Sequence, residues 1–155
     1  MQDRRQMITR SARLAGMLAT LGLLPELVRA QPAGYPGAAF EARSLAELMK
    51  ALGAAAPAES KEVTISGPDV AENGAVVPLV AAATLAGVKR LLVLVEKNPA
   101  MLSAIFHLGE GVEASVSTRV KMAQSSNVYA VAMMGDGKVL YAVKDIKVTL
   151  GGCGG

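Results

Sequence analysis

Between residues 112 and 122 the chain alternates. Val112, Ala114, Val116, Thr118, Val120 and Met122 are interleaved with Glu113, Ser115, Ser117, Arg119 and Lys121. A period of two puts one set on a buried face and the other in water, which predicts a β-strand. The other apolar runs are short and bounded by turn signals. Val63-Thr64-Ile65 leads to Gly67-Pro68, residues 75–85 follow the turn signal Asn73-Gly74, and residues 88–96 resume after Gly87 and close at Asn98-Pro99. A short piece at 104–107 closes at Gly109, and residues 128–134 and 138–142 flank Gly135-Asp136-Gly137 in a hairpin pattern. A last strand, 146–150, runs into Gly151. About seven strands with turns at regular intervals predict an all-β fold, an immunoglobulin-like antiparallel β-sandwich.

One segment breaks the strand pattern. Ser44 and Glu47 have the spacing of a capping box, in which the serine oxygen accepts from an orphan N–H while the glutamate reaches back. Leu45, Leu48, Met49 and Leu52 follow at helical spacing and Gly53 is a natural stop, so residues 45–52 are predicted to form one short amphipathic N-terminal helix. Residues 31–40, rich in Pro, Gly and Ala, read as a loose lead.

Residues 1–30 have a different organisation. Arg4-Arg5 precedes an apolar stretch from 14 to 24, Pro25 ends it, and Val28-Arg29-Ala30 supplies small residues for cleavage before Gln31. A basic start, a short apolar middle and a small-residue cleavage site read as an export signal. The stretch is too short for a permanent membrane anchor, and the arginine pair points to the twin-arginine route, which moves folded cargo.

This division changes the charge picture. The whole chain has 155 residues and a net charge of +3. Residues 1–30 hold five arginines and two acids, which leaves eleven basic and eleven acidic side chains in the remainder. The excess basicity belongs to the leader, and nothing beyond it argues for nucleic acid or a membrane surface. The expected organisation is therefore an export signal (1–30), one β-domain (31–150) and a short tail (151–155).

That tail, Gly151-Gly152-Cys153-Gly154-Gly155, calls for a chemical account, because it holds the only cysteine. Its four glycines have no side chains to pack, and five extended residues reach about 15–18 Å. A thiol so flanked can enter a narrow site on another protein. An ordinary thiol, with a pKa of about 8.5, is mostly protonated near neutrality. The nearest cation in sequence, Lys147, is six residues away, and no general base accompanies the cysteine. Cys153 therefore reads as an attachment point that other enzymes load and unload rather than as a nucleophilic catalyst. On residues alone two further roles stay open for the tail: an intermolecular disulfide, which an odd cysteine in an exported protein permits, and an added conjugation tag.

Other candidates are thin. His107 is the only histidine and reads as structural; with one His and one Cys, no zinc or haem site can be assembled. Asp136 is explained by its turn, Glu96-Lys97 by a solvated strand end, and no Gly-x-Ser-x-Gly elbow or phosphate loop is present. Neither a catalytic residue nor a bound cofactor or metal is expected.

Several stretches together resemble the SoxY family, the sulfur-binding subunit of the bacterial thiosulfate-oxidising Sox system. They are residues 71–78 (Ala-Glu-Asn-Gly-Ala-Val-Val-Pro), 95–99 (Val-Glu-Lys-Asn-Pro), 118–122 (Thr-Arg-Val-Lys-Met) and above all the Gly-Gly-Cys-Gly-Gly tail. The resemblance implies a β-sandwich that works as a heterodimer with SoxZ, with Cys153 carrying sulfur adducts on a swinging arm. It further implies that SoxAX, a haem enzyme, joins thiosulfate to the cysteine, that SoxB, a dimanganese hydrolase, releases sulfate, and that in many systems SoxCD oxidises the remaining sulfane. It places the mature protein in the periplasm. Two alternatives remain: a carrier using Gly154-Gly155 as a thiocarboxylate, and an exported β-sandwich binding module whose tail cysteine only forms a disulfide between chains.

Overall fold

In the computed structural model, which describes residues 36–150, the Leu- and Val-rich run at 91–95 is a strand covered on both sides. Leu91, Val93 and Val95 point into one hydrophobic cluster and Leu92 and Leu94 into another, all five at 0% exposure. A strand buried on both faces loses the polar half of its alternation, which is why residues 91–95 read as a continuous apolar run after Lys89 and Arg90.

Nine strands are present among the described residues: β1 (Ala58–Glu59), β2 (Val63–Ser66), β3 (Val70–Asn73), β4 (Val77–Ala83), β5 (Val88–Val95), β6 (Leu102–His107), β7 (Ser115–Val120), β8 (Ser126–Met134) and β9 (Val139–Leu150). One sheet has the order β1-β9-β8-β5-β6, with β3 also paired to β9; the other has the order β2-β4-β7. The inner faces enclose the main core, where Val77, Leu79 and Ala81 of β4 meet Leu91 and Val93 of β5, Val128 and Ala130 of β8, and Ile146 of β9. The expected two-sheet β fold is thus present.

Two helices cover the outer face of the large sheet. The predicted helix runs Leu45–Ala51 (α2), with Ser44 accepting from the Glu47 N–H at 3.2 Å and Glu47 Oε2 accepting from the Arg43 N–H at 2.9 Å. Ahead of it, inside the segment read as a loose lead, is a five-residue helix, Gly37–Glu41 (α1). Five residues are too few to show a helical period; packing explains it. Ala39, Ala42, Leu48 and Met49 are buried against Leu92, Leu94, Val131 and Met133 of the sheet. Ser44→Ala is expected to cost about 1 kcal/mol by removing the cap, measurable as a lower denaturation midpoint.

The strands also differ from expectation in three particulars. The pieces expected at 138–142 and 146–150 are one continuous strand, β9. Two short strands, β1 and β3, were not foreseen, and both pair with β9 in parallel, so the pairing is not wholly antiparallel. Val112, the first residue of the alternating segment, is 58% exposed and precedes β7, which begins only at Ser115. The hairpin between β8 and β9 is as expected, with Gly137 at φ 90° and the Lys138 N–H donating to Asp136 Oδ1 at 3.0 Å.

Candidate functional site

Cys153 and its neighbours Gly151, Gly152, Gly154 and Gly155 lie outside the described residues, as does the leader at 1–30. The structure does show where the tail begins. Strand β9 ends at Leu150, and its last residues are held on both flanks.

On one flank, β3 runs parallel to β9, with Ala71 beside Val148 and Asn73 beside Leu150. The Thr149 hydroxyl donates to the Glu72 carbonyl at 3.0 Å, and the Gly74 N–H donates to the Leu150 carbonyl at 2.8 Å. Gly74 is placed by the turn that Asn73-Gly74 signalled in the sequence: Asn73 Oδ1 accepts from the Ala75 N–H at 2.9 Å, an Asx turn. The Gly74 carbonyl in turn accepts from the Met122 N–H at 2.7 Å, which ties this turn to the end of β7.

On the other flank, Ser125 Oγ accepts from the Val148 N–H at 2.9 Å and lies 3.5 Å from the Val148 carbonyl. The loop carrying Ser125 is fixed by Asn98, whose side chain donates to the Lys121 carbonyl at 2.7 Å and accepts from the Ala123 N–H at 3.1 Å. Asn98 follows β5 and Lys121 follows β7, so this amide joins the two sheets at the tail-bearing end. Ser126, 1% exposed, accepts from the Lys97 N–H at 3.0 Å alongside. The strand therefore delivers the tail from a fixed point.

Removing the Ser125 hydroxyl leaves the Val148 N–H without its acceptor in a half-buried site, a cost of about 1–2 kcal/mol. Ser125→Ala is expected to speed amide exchange at Val148 well beyond any change at Leu92 in the sheet centre.

An ion pair steadies the entry to β3. Lys144 Nζ donates to Asp69 Oδ1 at 2.6 Å, and the Lys147 N–H donates to the Asp69 carbonyl at 3.0 Å. The hydrogen bond from Lys144, and then its charge, hold the Asp69 carboxyl below its ordinary value of 3.8. A depressed folded value means the contact contributes above the ordinary value and is lost as pH falls through the lower folded one. Acidification below about pH 3.8 should therefore loosen the β3–β9 pairing, read as faster exchange at Lys147 in the wild type. Asp69→Asn should show no such step.

The remaining sequence candidates are scattered. His107 ends β6 and is exposed; Asp136 stays in its turn, where the Lys138 backbone N–H lowers its carboxyl value first and the Lys138 side chain second. Glu96 is not simply solvated: it accepts from Asn127 Nδ2 at 2.8 Å and from the Tyr129 hydroxyl at 3.2 Å. Tyr129 is shifted upward, chiefly by burial and then by the Glu96 charge. Among the described residues no three His, Cys, Asp or Glu gather as metal ligands, and no helix is long and apolar enough to cross a membrane.

Sequence reasoning did not find Asn98 and Ser125 as supports of the tail. Asn98-Pro99 was legible as a turn, but a side chain bridging two sheets leaves no mark in local pattern.

The described residues define a two-sheet β-domain whose last strand ends at Leu150, three positions before the cysteine of the sequence. The sequence model of "Sulfur oxidation protein SoxY" matches residues 48–153, more than half of the chain. The chain belongs to the SoxY family. Among solved structures it is similar to the sulfur carrier protein SoxY from Chlorobium limicola f thiosulfatophilum, with 31% identity, a TM-score of 0.60, and coverage of 66% of this chain and 93% of that one. It is also similar to a superoxide reductase (neelaredoxin) from Ignicoccus hospitalis, with 16% identity, a TM-score of 0.50, and coverage of 56% and 78%. That second likeness concerns the fold alone. Comparison with curated proteins finds no match.

Proposed function

We propose that this SoxY-family chain is a sulfur carrier that holds thiosulfate-derived intermediates on Cys153. The observation that carries this reading is the extent of the family match, which runs to residue 153 and so takes in the only cysteine of the chain. The similar chain from Chlorobium is itself a sulfur carrier.

The chemistry divides between carrier and enzymes. Joining thiosulfate to the Cys153 thiolate forms an S–S bond and releases two electrons, which the haem partner SoxAX accepts. The product is Cys153–S–S–SO₃⁻. Water then cleaves the terminal S–S bond: SoxB releases hydrogen sulfate and leaves a persulfide on the carrier. Where SoxCD is present, it oxidises that remaining sulfane sulfur. The carrier contributes reach and a single attachment point, and it needs no metal of its own. Tethering also replaces repeated diffusive encounters by a local search.

The same reading assigns residues 1–30 to an export signal of the twin-arginine type, 31–150 to the carrier domain and 151–155 to the arm. It places the mature chain in the periplasm as a heterodimer with SoxZ. Alkylating the single cysteine with iodoacetamide tests the assignment without mutation. Thiosulfate oxidation by the reconstituted enzymes should stop; undiminished oxidation by the alkylated chain contradicts it.

A further inference from the structure

Between the edge strand of the large sheet, β6, and the edge strand of the small sheet, β7, lies a cleft of about 300 Å³. At about 30 Å³ per water this is room for roughly ten waters, ample for a tetrahedral anion. Its charged lining residues are Arg119 and Lys121, with Asn98, Ser103 and Thr118 as the other polar ones, and it contains no acid. Neither cation has a carboxylate partner among the described residues, where the ion pairs are Lys89–Glu110, Lys138–Asp136 and Lys144–Asp69. The acid nearest Lys97 and Asn98 in sequence, Glu96, is engaged by Asn127 and Tyr129.

The last residue of β9 is linked to the rim of this cleft through Gly74 and Met122. Leu150 is bonded to Gly74 at 2.8 Å, Gly74 to Met122 at 2.7 Å, and Met122 follows Lys121 directly. Two residues, Gly151 and Gly152, separate Leu150 from Cys153, three residue steps that span about 10 Å when extended. A sulfonate two sulfurs beyond the cysteine extends that reach by a few ångströms more. The far end of the sandwich, by contrast, holds the larger cavity around Gly87 and Gly111, a full strand length from Leu150.

We propose that the cleft between β6 and β7 is a resting site for the chain's own tail when Cys153 carries an anionic sulfonate, with Arg119 and Lys121 as the cationic side of the site. The inference rests on the carrier reading and adds to it. The free thiol adds no charge to the tail, whereas the Cys153–S–S–SO₃⁻ adduct adds one negative charge and is retained. The loaded arm is thereby held on the carrier's own surface and shielded, and it leaves when an enzyme offers stronger cationic contacts. Such a site discriminates loaded from unloaded carrier by charge alone.

The adduct can be made without partner enzymes. The Cys153 thiolate attacks a central sulfur of tetrathionate; one S–S bond breaks, a new one forms to Cys153, and thiosulfate leaves with the electron pair. In the mature chain, together with any subunit that co-purifies, loading should shift the backbone NMR signals of Ser103, Ala104, Thr118 and Lys121. Capping Cys153 with neutral carbamidomethyl should not. In Arg119→Glu/Lys121→Glu, checked for an unchanged melting midpoint, the shifts should vanish. Release of thiosulfate from the adduct by a phosphine should be about fivefold faster than in wild type, the scale of two exposed ion pairs. Should the variant unfold, 0.5 M salt on the wild-type adduct must give the same loss of shifts.

Shifts equal in the neutral-capped protein, shifts confined to residues touching Leu150, or equal release rates overturn the proposal. So does a cleft found filled by a partner's acidic side chains. Enzymatic turnover separates the two readings. A chain that turns over thiosulfate without these shifts removes only the resting site, whereas one that shows the shifts but never accepts thiosulfate from the enzymes removes the carrier reading.

Discussion

Cys153→Ser should abolish thiosulfate-dependent adduct formation completely, with no change in folding. A hydroxyl oxygen forms no bond of the disulfide type, and no second cysteine exists to take its place. The flanking glycines offer no side chains for either residue to pack against, so the unfolding free energy should change by no more than about 0.5 kcal/mol, as for a surface substitution. The result also separates two carrier chemistries. A thiocarboxylate built on Gly154-Gly155 would survive the substitution, whereas an adduct on sulfur would not. Persistence of sulfur transfer in the serine variant, with partners present, would move the site away from Cys153.

The second large effect is structural. Ile146→Ala should lower stability by about 2–5 kcal/mol, through lost burial and the cavity left behind. Ile146 is at 0% exposure in the core between the sheets, and a Cβ built on Gly67 would lie 3.2 Å from its Cδ1, so the surroundings are already tight. Its strand, β9, pairs with β1, β3 and β8 at once, which makes it the hub of the large sheet. Against a typical total of about 5–15 kcal/mol, such a loss is severe. The neighbouring Lys147→Ala, on an exposed side chain, should change the urea midpoint little. An Ile146→Ala cost below about 1 kcal/mol would contradict this placement of the core.

The two residues also show what local pattern can and cannot reveal. The apolar character of residues 146–150 and the turn at Asn73-Gly74 were legible, because alternation and turn chemistry are written in adjacent residues. The contact between them was not. Gly74 meets Leu150 across more than seventy intervening residues, and the parallel strand β3 that brings it there is four residues long. Likewise α2 carried its cap in the sequence as Ser44 and Glu47, but α1 is held by burial of Ala39 and Ala42 against the sheet and had no local signal. For the site, Cys153 stood out because nothing around it could be accounted for by packing. The residues that fix the strand ahead of it, Asn98 and Ser125, are ordinary polar residues whose role comes only from what they reach.

Side-chain and backbone hydrogen bonds hold the last strand as far as Leu150, and the sequence that follows it is Gly-Gly-Cys-Gly-Gly.

The central claim is that sulfur from thiosulfate becomes covalently bound at Cys153. Intact-mass measurement of the mature chain, purified from thiosulfate-grown cells and then mapped by C-terminal peptide, tests it most directly. Masses corresponding to added sulfane and thiosulfonate groups, confined to the peptide containing Cys153 and removed by reductant, are the predicted result. A chain that shows only free thiol or an intermolecular disulfide under turnover would contradict it.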